Sequence, residues 1–239
     1  MTPAGTVGAF FDLDGTLLAP PSLEWRFIGY LLAHEEINAA HAGFWMARFA
    51  KAILRNPHAA MEGNKSYVSG VRESLASDWA STLNTDPLPF FVSGIERVAW
   101  HLGQQHKVFI VSGTLEPLAR AVPPFLPGPV TICATKLEVR DGIWTGQLVG
   151  EHIYRKAKAR AVRCLAAQHN LDLPCSYAYG NRLDDLAILE SVGHPVGVNL
   201  SPRLEGAVWK RGWQTCNWRG YASALDPAHN RLLMPQVAR

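Results

Sequence analysis

Residues 10–16 read Phe-Phe-Asp-Leu-Asp-Gly-Thr, placing two carboxylates one residue apart at the end of an apolar run. A strand keeps side chains i and i+2 on one side, so Asp12 and Asp14 face a common site where the strand opens into a loop. One carboxylate of such a pair can attack an electrophile while the other holds or passes a proton. From Met1 to Phe11 no side chain is charged, and Val7 to Phe11 has the pattern of a strand buried on both faces. In open parallel sheets, ligands bind beyond the carboxyl ends of the strands, which is where this pair falls. The plainer alternative is a solvated turn with Asp-Gly at its corner.

Three further stretches offer chemistry that would suit such a pair. Ser112-Gly113-Thr114 directly follows an expected strand, Lys107 to Val111. A hydroxyl and free backbone N–H groups at a strand-to-helix turn form an anion cradle, although an N-cap reads the same way. Arg155-Lys156-Ala157-Lys158 opens an expected helix, where cations oppose the helix dipole unless an anion or carboxylates lie close by; a solvated basic turn is equally compatible. Tyr179-Gly180-Asn181-Arg182-Leu183-Asp184-Asp185 ends another strand. Its gathered oxygens suit a hard cation such as Mg²⁺, while Asn181 with Asp184 also imitates a capping box.

These residues need a scaffold that brings strand ends together, and the hydrophobic pattern supplies one. After the first strand, residues 18–90 show helical and no strand patterning: Leu23, Phe27, Tyr30 and Leu31, then Phe44, Ala47, Ala50, Ile53 and Leu54. Asn56-Pro57 and Asp86-Pro87-Leu88-Pro89 punctuate this segment, and Asn64 to Leu83 supports another helix. Strand and helix then alternate: helix Ile95–Gln105, strand Lys107–Val111, short helix Glu116–Ala121, strand Val130–Ala134, and a hairpin over Lys136–Val149 turning at Asp141-Gly142. Helix Tyr154–His169, strand Ser176–Tyr179, helix Asp184–Val192 and strand Pro195–Val198 complete the pattern. Alternation of this kind predicts a doubly wound, mostly parallel α/β sheet with right-handed crossovers. Residues 1–17 and 91–220 then form the α/β core, 18–90 an inserted all-helical cap above the carboxylate pair, and 221–239 a loose tail.

Composition excludes several classes. The net charge of +3 is unclustered, which gives no case for nucleic acid or a membrane surface. Four cysteines form no CxxC pair and read as free thiols of a reducing compartment. No basic leader and no apolar run near the length of a membrane span are present, so the expectation is a cytoplasmic protein. No His pair stands at i, i+4, and serine elbows and Walker phosphate loops are absent.

Asp-x-Asp-Gly-Thr, then Ser-Gly-Thr, then a lysine opening a helix, then Gly-Asn-x-x-Asp-Asp at a strand end resembles the haloacid dehalogenase-like hydrolases over about residues 6–211. The first motif is highly specific. The helical insert after it and the hairpin Leu137–Gly142 with Trp144-Thr-Gly are similar to the subgroup containing phosphoserine phosphatase. The resemblance implies a Rossmann-like core with a helical cap and a Mg²⁺-dependent phosphatase of a small phosphorylated metabolite. It implies Asp12 as the nucleophile that forms an aspartyl-phosphate and Asp14 as the acid and base. Ser112, with Gly113 and the turn residues Gly15 and Thr16, would bind the phosphoryl group. Lys156 falls at the family's lysine, with Lys158 the second choice. Asp12, Asp14 through its carbonyl, Asn181 and Asp185 would hold the metal, with Asp184 possible. A dehalogenase lacks the second Asp, so Asp14 speaks for phosphate chemistry. A phosphotransferase using the same intermediate and a weakened phospho-ligand binder are the alternatives. Two departures are visible: Asn181 stands where the family carries Asp, and Pro21 where phosphoserine phosphatases carry a Glu, the nearest acid being Glu24.

Overall fold

The computed structural model describes residues 5–37 and 65–223, together with 43, 45, 47 and 54. Its centre is a parallel sheet of strands β1 (Gly8–Phe11), β3 (Lys107–Leu115), β4 (Val130–Thr135), β7 (Tyr177–Gly180), β8 (His194–Val198) and β9 (Gln214–Cys216), in the order β4-β3-β1-β7-β8-β9. The chain builds outward from β1 in one direction through β3 and β4, then returns to the other side for β7, β8 and β9. The crevice beside β1 is therefore the switch point at which such sheets bind ligands.

β1 is buried along its whole length, as its uncharged sequence predicts. Its alternating side chains enter different cores: Phe10 stacks on Phe109 at 5.1 Å, while Phe11 stacks on Tyr179 at 4.4 Å. Burying a phenylalanine side chain is worth about 1.5–3 kcal/mol, so this pair fixes the central strand on both faces. Phe11 aligns with Ile110 of β3 and Tyr179 of β7, and the Asp12 N–H donates to the Tyr179 carbonyl at 2.9 Å. Continuing this register, Asp12 leaves the sheet level with Val111, the residue before Ser112, and with Gly180.

The helices α3 (Val92–Gly103), α4 (Glu116–Ala119), α5 (Lys156–His169), α6 (Leu186–Leu189) and α7 (Pro202–Arg211) belong to this α/β part. α1 (Leu23–Ala33), a 3-10 turn at Ser66–Val68 and α2 (Ser74–Thr82) are the described elements of the insert. The expected helix around Phe44–Leu54 lies outside the described residues, apart from Trp45, Ala47 and Leu54. The expected helix from Asn64 is interrupted between Ser69 and Arg72, because backbone there bonds to the hairpin: Gly70 N–H donates to the Trp144 carbonyl and Trp144 N–H to that of Val71, each at 2.9 Å. That hairpin, β5 (Leu137–Arg140) and β6 (Ile143–Leu148), turns at Asp141 and Gly142, whose φ values of 51° and 75° are those of a tight primed turn.

Several elements differ from expectation. The strand predicted to end at Val111 runs on to Leu115 with a register irregularity between Ser112 and Leu115, so the Ser-Gly-Thr cradle is an irregular strand end rather than a turn. Helix α5 begins at Lys156, not Tyr154. The expected helix from Asp184 is a 3-10 turn over Leu183–Asp185 followed by α6. Pro89–Phe91 (β2) pairs antiparallel with Tyr221–Ser223 (β10), so the start of the expected tail is tied to the exit of the cap segment; α7 and β9 were not foreseen. The remaining tail residues lie outside the described set.

Beneath β1 and β7, the fully buried His101 joins His106 (Nδ1 to Nδ1, 2.8 Å) and the Tyr179 hydroxyl (Nε2, 2.8 Å). Burial, with smaller contributions from His106 and Arg97, pushes His101 down to about 3. A histidine lowered on folding is held neutral, so stability is intact above its unfolded value near 6.5 and is lost as pH falls from there toward 3. The unfolding midpoint is expected to drop over that window. His101→Asn should flatten the drop, measured by thermal unfolding between pH 7 and pH 4.

Candidate active site

Asp12 and Asp14 meet at the mouth of the crevice. A cavity of about 290 Å³ opens there, lined at its inner end by Asp12, Asp14, Ser112, Gly113, Thr114, Lys158 and Asp185. Ser22, Glu24, Lys65, His152, Tyr154, Arg182 and Asp184 complete the lining.

Asp12 is held on both oxygens. Lys158 Nζ lies 2.5 Å from Oδ1, and the Thr16 hydroxyl donates to Oδ2 at 3.0 Å. Lys158 also lies 2.6 Å from Asp185 Oδ1, and Asp185 Oδ2 accepts the backbone N–H groups of Asn181 and Arg182, each at 3.0 Å. The lysine that reaches the carboxylates is therefore Lys158, not Lys156. Lys156 and Lys158 are two residues apart, about 200° around a helix, so only one of them can face the sheet. Lys156 is exposed and Lys158 is buried.

Asp14 is arranged differently. Its Oδ1 accepts the Leu23 N–H at the start of α1 (2.8 Å), and its Oδ2 accepts the Thr114 hydroxyl at 2.6 Å. The same side chain thus joins the cap entrance to the cradle. Ser112 is 2% exposed, and its Oγ accepts the Thr114 N–H at 3.1 Å.

Gly15 and Thr16, expected at the phosphoryl group, stand behind the cavity wall. Thr16 is fully buried and spends its hydroxyl on Asp12, while Gly15 N–H donates to the Leu18 carbonyl at 2.7 Å; neither lines the cavity. Gly15 adopts φ +85°, and a Cβ there would collide with the Asn181 amide, so glycine is needed for both conformation and space. Asp185, expected as a metal ligand, has its oxygens committed to Lys158 and two backbone N–H groups. Asp184 lines the cavity and pairs with Arg155 at 3.1 Å.

Electrostatics divide the inner groups. Burial and the nearby Asp185 carboxylate push the Asp12 carboxyl up to about 7, against the opposing pull of Lys158. Burial likewise raises Asp14, partly offset by its bonds from Thr114 and Leu23. For Lys158 burial acts downward, but Asp12 and Asp185 outweigh it and hold the ammonium above its ordinary value. Three carboxylates against one ammonium leave this end short of positive charge. Among the described residues, no three His, Cys, Asp or Glu side chains converge tightly enough to hold a metal ion. Asn181 is not among the residues that line the cavity, but its amide packs against Gly15 and its Oδ1 is buried with no hydrogen-bond partner. An orphaned buried acceptor whose amide packs against the glycine after Asp14 fits a hard cation bound through oxygens of mixed kind.

The outer cavity is lined by Glu24, Lys65, His152 and Tyr154. Glu24 accepts Lys65 Nζ at 2.5 Å and the Leu115 N–H at 3.1 Å, tying α1 and the second half of the insert to β3. Of the other insert cations, Arg26 donates to the Pro21 backbone and Arg72 pairs with Glu36. His152 and Tyr154 stack at 5.4 Å on the loop before α5, and no local pattern in the sequence marks them.

The family model of haloacid dehalogenase-like hydrolases matches residues 9–190, and the chain belongs to that family. Among its relatives is a Mycobacterium tuberculosis protein named phosphoserine phosphatase, 29% identical over 226 residues, covering 90% of this chain and 71% of the relative. A Mycobacterium leprae protein named as a hydrolase is 34% identical, covering 90% and 73%. A solved Bordetella pertussis protein of unknown function has 25% identity and a TM-score of 0.73, covering 90% of this chain and all of that one. The chain is accordingly a hydrolase of the phosphatase kind, with the family's α/β core.

Proposed function

We propose that this protein hydrolyses a small phosphomonoester through an aspartyl-phosphate on Asp12. The observation that carries the reading is the Asp12 carboxylate, pinned between Lys158 and Thr16 with the Ser112 cradle in the same cavity. Asp12 attacks phosphorus, and Asp14, raised by burial, donates a proton to the departing oxygen. The resulting carboxylate then takes a proton from the water that cleaves the acyl-phosphate. Ser112 and the Lys158 ammonium hold the phosphoryl oxygens and offset their charge. Thr114 keeps Asp14 aimed into the cavity, and Asp185 keeps Lys158 in place. Mg²⁺ bound by the Asp12 carboxylate, the Asp14 carbonyl and the Asn181 amide oxygen would supply the missing positive charge.

The leaving group would meet Glu24, Lys65, His152 and Tyr154. The named phosphoserine phosphatase among the relatives supports a small polar substrate, and the Glu24–Lys65 pair supports one carrying charge of its own. The test is phosphate release from a panel of phosphomonoesters with Mg²⁺. Release that stops on chelation and returns with Mg²⁺ is expected; release unaffected by chelation would overturn the metal's part. An added alcohol acceptor should leave free phosphate unchanged, whereas a drop in phosphate with undiminished substrate loss would mean transfer rather than hydrolysis.

A further inference from the structure

We infer that His152 is a positioning residue that orients the Ser112 hydroxyl through the Gly113–Thr114 peptide. His152 Nε2 lies 3.3 Å from the Gly113 carbonyl oxygen. A carbonyl only accepts, so Nε2 carries the proton and donates. The other side of that peptide is the Thr114 N–H, which donates to Ser112 Oγ at 3.1 Å. The chain of contacts runs from imidazole to carbonyl, across a planar peptide to N–H, and on to the serine oxygen. With one lone pair of Oγ committed to Thr114, the serine proton is directed away from it, toward the cavity that Ser112 lines.

Other observations converge on the same contact. A Cβ at Gly113 would lie 3.3 Å from both His152 Nε2 and the Ile153 carbonyl, so the glycine permits the approach. The loop carrying His152 is braced along its length. Ile153 N–H donates to Thr135 Oγ1 at 3.2 Å, the Arg155 guanidinium lies 5.2 Å from the Tyr154 ring centre, and Arg155 pairs with Asp184. Burial, with the Lys65 charge, lowers His152 to about 4, so the ring stays a neutral, single-tautomer donor at neutral pH. A ring fixed on a braced loop holds the cradle in its binding geometry before the ligand arrives.

This inference rests on the reading that the cavity takes a phosphoryl group, and the test separates the two. Inorganic phosphate is titrated calorimetrically into the full protein with Mg²⁺, beside turnover of p-nitrophenyl phosphate. His152→Phe keeps a ring to stack on Tyr154 but removes the donor; His152→Gln keeps an N–H at a similar reach. His152→Phe is expected to weaken phosphate binding about fivefold, the worth of one net hydrogen bond, and His152→Gln to restore it to within about twofold. In a Ser112→Ala background, His152→Phe should have no further effect, because its influence passes through the serine. Wild-type binding in His152→Phe, or multiplicative losses in the double variant, would overturn the positioning role while leaving the phosphatase reading intact. A wild-type protein that neither binds phosphate nor releases it would overturn both.

Discussion

Asp12→Asn is expected to reduce phosphate release by about 10⁴-fold or more while leaving the protein folded, as for loss of the nucleophile in other covalent mechanisms. The amide is nearly isosteric: its single oxygen can still accept from Lys158, and its NH2 can donate to the Thr16 hydroxyl oxygen, so the local packing is retained. Stability should not suffer. Asp12 is raised to about 7 by burial and Asp185, which means that folding disfavours its ionised form above the ordinary carboxylate range. A neutral amide removes that cost, so the thermal midpoint at pH 8 is expected to hold or rise. Initial-rate assays and thermal unfolding on the same preparations check both halves. Residual turnover within a hundredfold of wild type would mean that Asp12 is not the attacking group.

Lys158→Met is expected to abolish activity and also to destabilise the fold. The methionine fills the volume of the lysine stem but leaves Asp12 and Asp185 facing one another without a cation, and Lys158 is 3% exposed. Removing one partner from a buried ionic cluster costs about 3–5 kcal/mol, because the orphaned charges stay desolvated. Lower pH should recover part of that loss, since protonating either carboxylate relieves the repulsion. Lys156→Met is the internal control, being exposed on the opposite side of α5. It should change kcat and the unfolding midpoint little. Denaturant titrations at pH 5 and pH 8, with steady-state rates, distinguish the two lysines; equal effects would contradict the arrangement around Asp12.

Much of the site was legible locally. Asp12 and Asp14 could be read from an uncharged strand ending in two acids, because a residue buried on both faces of a sheet cannot otherwise afford a carboxylate at its end. Ser112 was readable from its place after β3. The lysine was not. Lys156 and Lys158 both open α5, and only the rotation of that helix against β3 decides which one enters the crevice. The roles of Gly15 and Thr16 also depended on packing: their motif predicts closeness to phosphate, but Thr16 turns inward to Asp12 and Gly15 makes room for Asn181.

The sequence by itself therefore determined the alternating α/β core, the insert after β1 and the carboxylate pair, all of which follow from hydrophobic period and local charge. The tertiary structure decided the partners: Lys158 between Asp12 and Asp185, Thr114 on Asp14, Glu24 on Lys65, and His152 against Gly113. Those contacts join residues from 27 to 146 positions apart. Their geometry comes from strand order and helix rotation, which no short-range pattern in the chain encodes.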